Sequence, residues 1–331
     1  IGATIGKTGF IRKTGICNQQ INAILPNEKI VPEYTFFSMC SEFEQQQILM
    51  NASATTLPIL NKSKFDNLLF PVPPYREQIL IVEKLKKVLS HVSDINNDRD
   101  SLCATIKMVK AKILDLAIRG KLVPQNPDDE PASVLLERIH AEKEELIKQG
   151  KNKRNKKETI IFKGEDNSYY EKVGSNVENI NDEIPFELPD NWAWSRGYSC
   201  FEGMSSTKPQ GEYFDYIDID AIDNRLHKIK EAKHLSVADA PSRASRSVKN
   251  GSVLFSLVRP YLENIALVEE KYSSCIASTG FYICNSNGTF LPGFMFYLMI
   301  SGYVVDGLNR YMKGDNSPSI SKDNIEGWRI I

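Results

Sequence analysis

Paired cysteines are missing from this 331-residue chain. Its six cysteines (Cys17, Cys40, Cys103, Cys200, Cys275 and Cys284) are scattered, with no CxxC pair. That argues against a disulfide framework or a zinc site and suits a reducing cytoplasm. Histidine is scarce, and His91, His140, His227 and His234 lie at no metal-ligand spacing. There is no nucleophile motif of the GxSxG type and no signal peptide. The longest apolar run, LPGFMFYLMISGYVV at 291–305, is short for a membrane span and contains glycines. It reads as buried helix, one element over 293–308. The carboxylates form no paired arrangement visible in sequence. No catalytic residue, metal ligand or cofactor is expected.

A strong overall charge is also missing: the net charge is −1. The distribution is uneven, however. Residues 1–27 carry Lys7, Arg12 and Lys13 and no acid, and residues 241–261 carry Arg243, Arg246, Lys249 and Arg259 and no acid. Phosphate binding needs local positive surface of this kind rather than a basic total. Hydrophobic content of 41% and charged content of 25% are those of a globular protein, and the length predicts two or more domains.

What is present is a repeat. PEYTFFSMCSEF (32–43) matches PGFMFYLMISGY (292–303), and LPILNKSKFDNLLF (57–70) falls on SPSISKDNIEGWRI (317–330) in the same register. Upstream, CNQQINAILPN (17–27) meets CIASTGFYICN (275–285) with two residues inserted between the blocks. Residues 1–71 thus read as the second half of a module and 185–331 as a nearly whole copy. On that reading the natural gene product extends beyond both ends of this chain, which begins at Ile1 rather than Met. Half a module should leave apolar residues such as Phe36, Phe37 and Ile48 uncovered.

Between the copies the apolar positions run Val82, Leu85, Leu89, Val92, Ile95, Leu102, Ile106, Val109, Ile113 and Leu116. Steps of three and four mark one stripe on a long helix that packs on another helix. About 45 residues make a rod of roughly 70 Å. Gly120 is a natural stop, and Pro131 opens a second helix through residue 149 or so. KQGKNKRNKKE (148–158) reads as a basic, solvated linker. Within the modules, EYFDYIDI (212–219), GSVLFSLV (251–258) and TGFYIC (279–284) read as strands. The predicted fold class is α+β: mixed α/β modules joined by a long α-helical, coiled-coil-like spacer.

Two motifs imitate active sites. VPPY (72–75) is close to the (N/D/S)PP(Y/F) loop of amino-methyltransferases. Its first position is Val72, which offers no side-chain acceptor, and no glycine-rich cofactor loop accompanies it. Prolines before a helix fix φ and need no N–H partner, and Glu77 suits the positive helix end, so the motif reads as a helix start. GATIGKT (2–8) is one residue short of the phosphate-binding G-x-x-x-x-G-K-[ST] spacing and reads as a turn entering a strand.

Two modules on a spacer measure a distance, and a bipartite DNA site is the natural candidate. At this point the wording of the motifs adds a resemblance. GATIGKTGF with CNQQINAILP, FPVPPYREQILIVEKL (70–85), LDLAIRGKLVPQNPDDEPASVLLERIHAEKEELIKQGK (114–151), ELPDNWAW (187–194), VRPYLENIA (258–266) and IASTGFY (276–282) resemble the specificity subunit of type I restriction–modification systems.

The resemblance implies a non-catalytic chain with two target-recognition domains, each reading half of a split sequence in double-stranded DNA. It implies partners that do the chemistry: modification subunits that methylate adenine, and an ATP-dependent restriction subunit that translocates and cuts. The expected division is 1–73 (end of the first recognition domain), 74–123 (spacer helix), 124–184 (helix and linker) and 185–331 (second recognition domain).

The DNA-contacting residues expected from the acid-poor windows and adjoining loops are Lys7, Arg12, Asn18, Gln19 and Gln20 in the first domain. In the second they are Lys208, Arg243, Arg246, Arg259, Tyr261, Asn264, Ser278, Thr279, Lys313 and Asn316. Arginine suits guanine edges and phosphates; Asn and Gln suit adenine edges. The stripe is too apolar to face water, so a homodimer through an antiparallel pair of spacer helices is expected of this chain. The rival readings are a coiled-coil scaffold without DNA binding and a methyltransferase fused to its specificity domain.

Overall fold

The computed structural model describes residues 4–52, 59–150 and 159–331. It divides into two compact units, 1–105 and 106–331. The fold is α+β, as the patterns predict.

In the first unit, residues 4–31 make turns and no strand. GATIGKT supplies the expected turn, but no strand follows it. Three helices come next: α1 (Pro32–Met39), α2 (Glu42–Asn51) and α3 (Lys62–Asp66). Pro32 presets φ at the first position of α1. The Ser41 hydroxyl accepts the Glu44 N–H at the head of α2, and the Asn61 side chain accepts the Lys64 N–H at 2.9 Å at the head of α3. Tyr34, Met39, Ile48 and Val82 are buried. Ile48 was expected to be uncovered; it is buried, on α2, which packs against α1 and α3. Exposed apolar residues of this unit include Ile11, Ile16, Ile21 and Leu25 upstream, and Phe43, Leu49, Met50 and Leu69 in and after α2.

The spacer helix α4 (Tyr75–Ile118) begins directly after Pro73 and Pro74, so the VPPY motif is a helix start. Gln78 locks that start: its carbonyl accepts the Val31 N–H at 2.8 Å, and its amide donates to Pro73 O at 2.8 Å and Lys29 O at 3.3 Å. Beyond Val82 the stripe emerges into solvent. Leu89, Val92, Ile95, Leu102, Ile106, Val109 and Ile113 are all exposed, Ile95 by 66%.

In the second unit the end of α4 is anchored. Ile118 is buried, and the Arg119 guanidinium lies 4.4 Å from the centre of the Phe186 ring. Gly120 turns the chain at φ +64°, where a Cβ would lie 2.5 Å from Pro189. Helix α5 (Ala132–Lys148) follows Pro131 as predicted. Of the basic stretch 148–158, residues 151–158 lie outside the described residues.

An antiparallel ribbon comes next: β1 (Ile160–Lys163), β2 (Tyr169–Val173) and β3 (Asn176–Asn179). Arg196 ties it to the rest of the unit. Its guanidinium donates to both oxygens of Glu171, at 2.9 and 2.5 Å, and to Gly327 O at 3.0 Å.

The remaining elements are β4 (Ser195–Arg196), α6 (Gly197–Cys200), β5 (Tyr213–Ile217), β6 (Ile222–Asp223), β7 (Lys228–Ile229), β8 (Lys233–Ser236), β9 (Ala244–Ser247), β10 (Val253–Ser256), β11 (Ile265–Leu267), β12 (Ile276–Ser278) and β13 (Phe281–Cys284). Helices α7 (Pro292–Met299), α8 (Gly302–Asn309) and α9 (Lys322–Glu326) and strand β14 (Arg329–Ile330) close the chain. Strands β11, β10 and β13 form one antiparallel sheet. Strands β8, β5, β12 and β9 form a second, in which β5 and β12 run parallel. The main core joins Val253, Phe255, Tyr282 and Cys284 of the first sheet to Met295, Leu298, Val304 and Leu308 of the helices.

The predicted single helix over 293–308 is two helices. Ser301 is the cause: extended in backbone, it caps α8 and turns its hydroxyl back onto Leu298 O at 2.6 Å. The helical part of the repeat is kept in structure. The helices start at 32 and 292, at 42 and 302, and at 62 and 322, so each pair is offset by 260.

Candidate nucleic-acid interface

In the second unit most of the predicted residues gather along a continuous run of backbone hydrogen bonds. The Thr279 N–H donates to Arg243 O at 2.8 Å. One residue on, Gly280 O accepts the Leu257 N–H at 2.8 Å. Leu257 O in turn accepts the Ile320 N–H, and the Arg259 N–H donates to Pro318 O at 2.7 Å. The loop ends after β8, β10, β12 and α8 are thereby stitched into one edge carrying Arg243, Thr279, Arg259, Asn316 and Lys313.

Arg259 sits in the left-handed region, at φ +48°, and Glu263 does likewise at φ +54°. Between them Pro260–Leu262 form a single 3-10 turn that holds Tyr261 out toward solvent. Left-handed backbone at non-glycine residues is costly and persists where surrounding contacts enforce it. Here those contacts are the Pro318 bond, the Arg259 Nη2 bond to Asn316 O at 3.0 Å and the Ser256 N–H bond to Asn264 O at 3.2 Å.

At the other end of the edge, Arg246 on β9 pairs across to Ser206, and the Thr207 N–H reaches Ser245 O at 2.9 Å. This places exposed Lys208 beside the arginine strand. Arg243, Arg246, Arg259, Lys208 and Lys313 make no ion pair among the described residues, whereas Lys249 of the same window is taken by Glu202 at 2.8 Å. Unpaired cations at one edge are the electrostatic footprint suited to a polyanion.

Ser278 needs correction. It is fully buried on β12, and its hydroxyl accepts the Gly280 N–H at 3.3 Å; it shapes the turn and offers nothing to solvent. Arg246 is half-buried, and its Nε is buried without a hydrogen-bond partner.

In the first unit, Lys7, Arg12, Gln19 and Gln20 are exposed. Lys7 follows a turn closed by its N–H on Thr4 O at 3.1 Å. The Gln45 amide reaches Gly6 O at 2.9 Å, and Gly6, at φ +80°, leaves no room there for a Cβ. Asn18 is used locally: its side chain accepts the Gln20 N–H at 2.9 Å.

The charge windows passed over a third stretch, NRLHKIK (224–230). It too has no acid, and it holds Arg225, Lys228 and Lys230. It forms the β6–β7 hairpin, whose strands are too short to announce themselves in sequence. Among the described residues no group of three or more His, Cys, Asp or Glu side chains is placed to hold a metal.

Residues 1–101 match the family model for the type I restriction modification DNA specificity domain. The type I restriction enzyme EcoAI specificity subunit of Escherichia coli is 31% identical over 241 residues, which cover 71% of this chain and 36% of that protein. The type I restriction enzyme EcoEI specificity subunit, also of Escherichia coli, is 49% identical over 89 residues, 27% of this chain and 12% of that protein. Among solved structures, the HsdS subunit from Thermoanaerobacter tengcongensis matches at 34% identity over 44% of this chain and 39% of that one, with a TM-score of 0.41. The chain spans about a third of the EcoAI specificity subunit and less of the EcoEI one. The chain is similar to specificity subunits of type I restriction–modification systems, and its first 101 residues match the model of their DNA specificity domain.

Proposed function

We propose that the chain is the sequence-reading, non-catalytic part of a type I restriction–modification complex in the cytoplasm. Each recognition domain (ending near 73 in the first, spanning 185–331 in the second) contacts one half of a split duplex target. The linking helices, 74–123 and within 124–184, dock the modification subunits and the restriction subunit. The family relationship carries this reading, and the unpaired cations on the Arg243–Arg259–Lys313 edge support it. Thr279, Asn264 and Tyr261 lie among them as hydrogen-bonding and stacking groups.

The test is a duplex titration with the chain assembled on a type I modification subunit. Binding should weaken steeply as salt rises, and Arg243→Ala with Arg246→Ala should flatten that slope by about two. Salt-independent binding, or none, would favour the scaffold reading.

A second copy of the chain fits the exposed spacer stripe. Leu85 and Ile113, Leu89 and Val109, and Val92 and Ile106 are equidistant from Arg99, so an antiparallel two-fold pair centred there matches apolar positions to each other. Half-exposed residues of this size regain about 1 kcal/mol each on burial. Light scattering should show a dimer that Leu89→Asp with Ile106→Asp dissociates; a monomeric wild-type chain would refute it.

A further inference from the structure

We propose that the β6–β7 hairpin tip, residues 224–228, is an additional DNA-contacting element that enters the minor groove. Leu226 is the wedge, and Arg225 and Lys228 hold the flanking phosphates. This rests on the DNA-reading function proposed above.

Three observations converge on the tip. Its charge is one-signed, with Arg225, Lys228 and Lys230 and no acid in seven residues; Arg225 and Lys228 are exposed and make no ion pair among the described residues. Its most prominent side chain is apolar: Leu226 is 67% exposed, between two cations. An apolar residue flanked by Arg and Lys is the composition of side chains that insert at base steps from the minor groove.

The tip is also held against the recognition edge. The Asn224 amide donates to Leu262 O at 2.8 Å, in the strained turn that presents Tyr261. His227, at φ +52°, places its Nε2 3.8 Å from the Glu263 carboxylate, and its ring meets Phe296 edge-on. The Asp223 side chain accepts the N–H groups of Arg225 and Leu226, at 2.9 and 3.0 Å, so the tip is fixed from inside as well. A rigid apolar tip braced on a cation-lined edge can stay exposed without collapsing onto its own core, and the same rigidity lets it stand in a groove.

The experiment uses the chain assembled with modification subunits and a duplex selected by that complex from a random pool. Arg225→Ala with Lys228→Ala should lower the slope of log K against log salt by about two. Leu226→Ala should leave the slope intact, weaken binding about tenfold and lose the fluorescence rise of 2-aminopurine placed at the inserted step. Since all three side chains are exposed, an unchanged thermal melt is expected. If Arg243→Ala with Arg246→Ala weakens binding while both hairpin variants bind as wild type, the hairpin inference is overturned and the DNA-reading function stands. If the slope falls but Leu226→Ala changes neither affinity nor fluorescence at any step, the minor-groove wedge is overturned. A complex that binds no duplex overturns both.

Discussion

The two copies of the module share their helices and differ in their strands. Helices α1, α2 and α3 start in the same register as α7, α8 and α9, and buried positions correspond: Met39 with Met299, and Ile48 with Leu308. The next segment upstream behaves differently. Leu25 corresponds to Ile283 at the insertion-corrected offset, yet Leu25 is 93% exposed and Ile283 is 1% exposed on β13. A helix satisfies its backbone from within, whereas a strand needs a neighbour. The neighbour of β13 is β10, and no segment of residues 4–71 corresponds to β10.

The largest expected effect lies at that contrast. Ile283→Ala should cost about 4 kcal/mol by removing a fully enclosed side chain from the core it shares with Ile217, Leu254, Ala266 and Phe281 of the two sheets. Leu25→Ala should fall within about 0.5 kcal/mol of wild type. Denaturant titrations of both variants measure this. A large cost at Leu25 would mean that it is covered in solution, and the two copies would then be more alike than they look.

Next in size is Arg196, which ties the ribbon to the rest of the second unit. Burial by itself would raise the Glu171 carboxyl, but the Arg196 guanidinium bonded to both its oxygens holds it below the ordinary value. Arg196→Ala leaves that carboxylate buried and unpaired, and should cost about 3 kcal/mol. A folded-state pKa held below the unfolded one stabilises above the unfolded value and is lost as pH falls through the folded value. The second unit of the wild type should therefore weaken on acidification below the glutamate range, and the variant less so.

How much of this was legible in sequence depends on how far each element reaches for its partners. The repeat, the spacer helix and its stop at Gly120 were legible because caps and apolar steps are local. The break between α7 and α8 was hidden because Ser301 lies inside an unbroken apolar run, although Ser41 marks the same cap in the other copy. Ser278 looked like a surface hydroxyl because nothing local says which side of β12 faces the core. The assembly of Arg243, Arg259 and Asn316 into one edge depends on bonds spanning tens of residues, and the hairpin at 222–229 has two-residue strands with no alternation to read.

A smaller effect, of opposite sign, belongs to the first copy. Glu44 is fully buried where the second copy has Val304, and one of its carboxylate oxygens has no hydrogen-bond partner. Burial raises its pKa above the ordinary value. The folded unit then holds this proton more tightly than the unfolded chain, so its stability falls as pH rises through that range. Glu44→Val should gain about 1 to 2 kcal/mol at neutral pH and abolish that slope. This trend runs opposite to the one at Glu171, and pH-resolved melts of the two variants would separate the units.

The smallest effect tests the shared helices themselves. Ser41 and Ser301 occupy equivalent caps, and both accept an N–H from the residue three positions on, at 3.4 Å. Ser301 does more: it is buried, and its hydroxyl also donates to Leu298 O. Replacing either by alanine frees an N–H of the first turn, a loss of about 0.5–2 kcal/mol. Ser41 should sit at the low end, since only the one bond is lost, and Ser301 at the high end, since Leu298 O also loses its partner in the core. Equal costs in thermal melts would mean that the cap alone matters and that the burial surrounding α8 adds nothing to it. A greater loss at Ser301 would show the same local motif weighted by the layer packed against it, which is the difference between the two copies reduced to one hydroxyl.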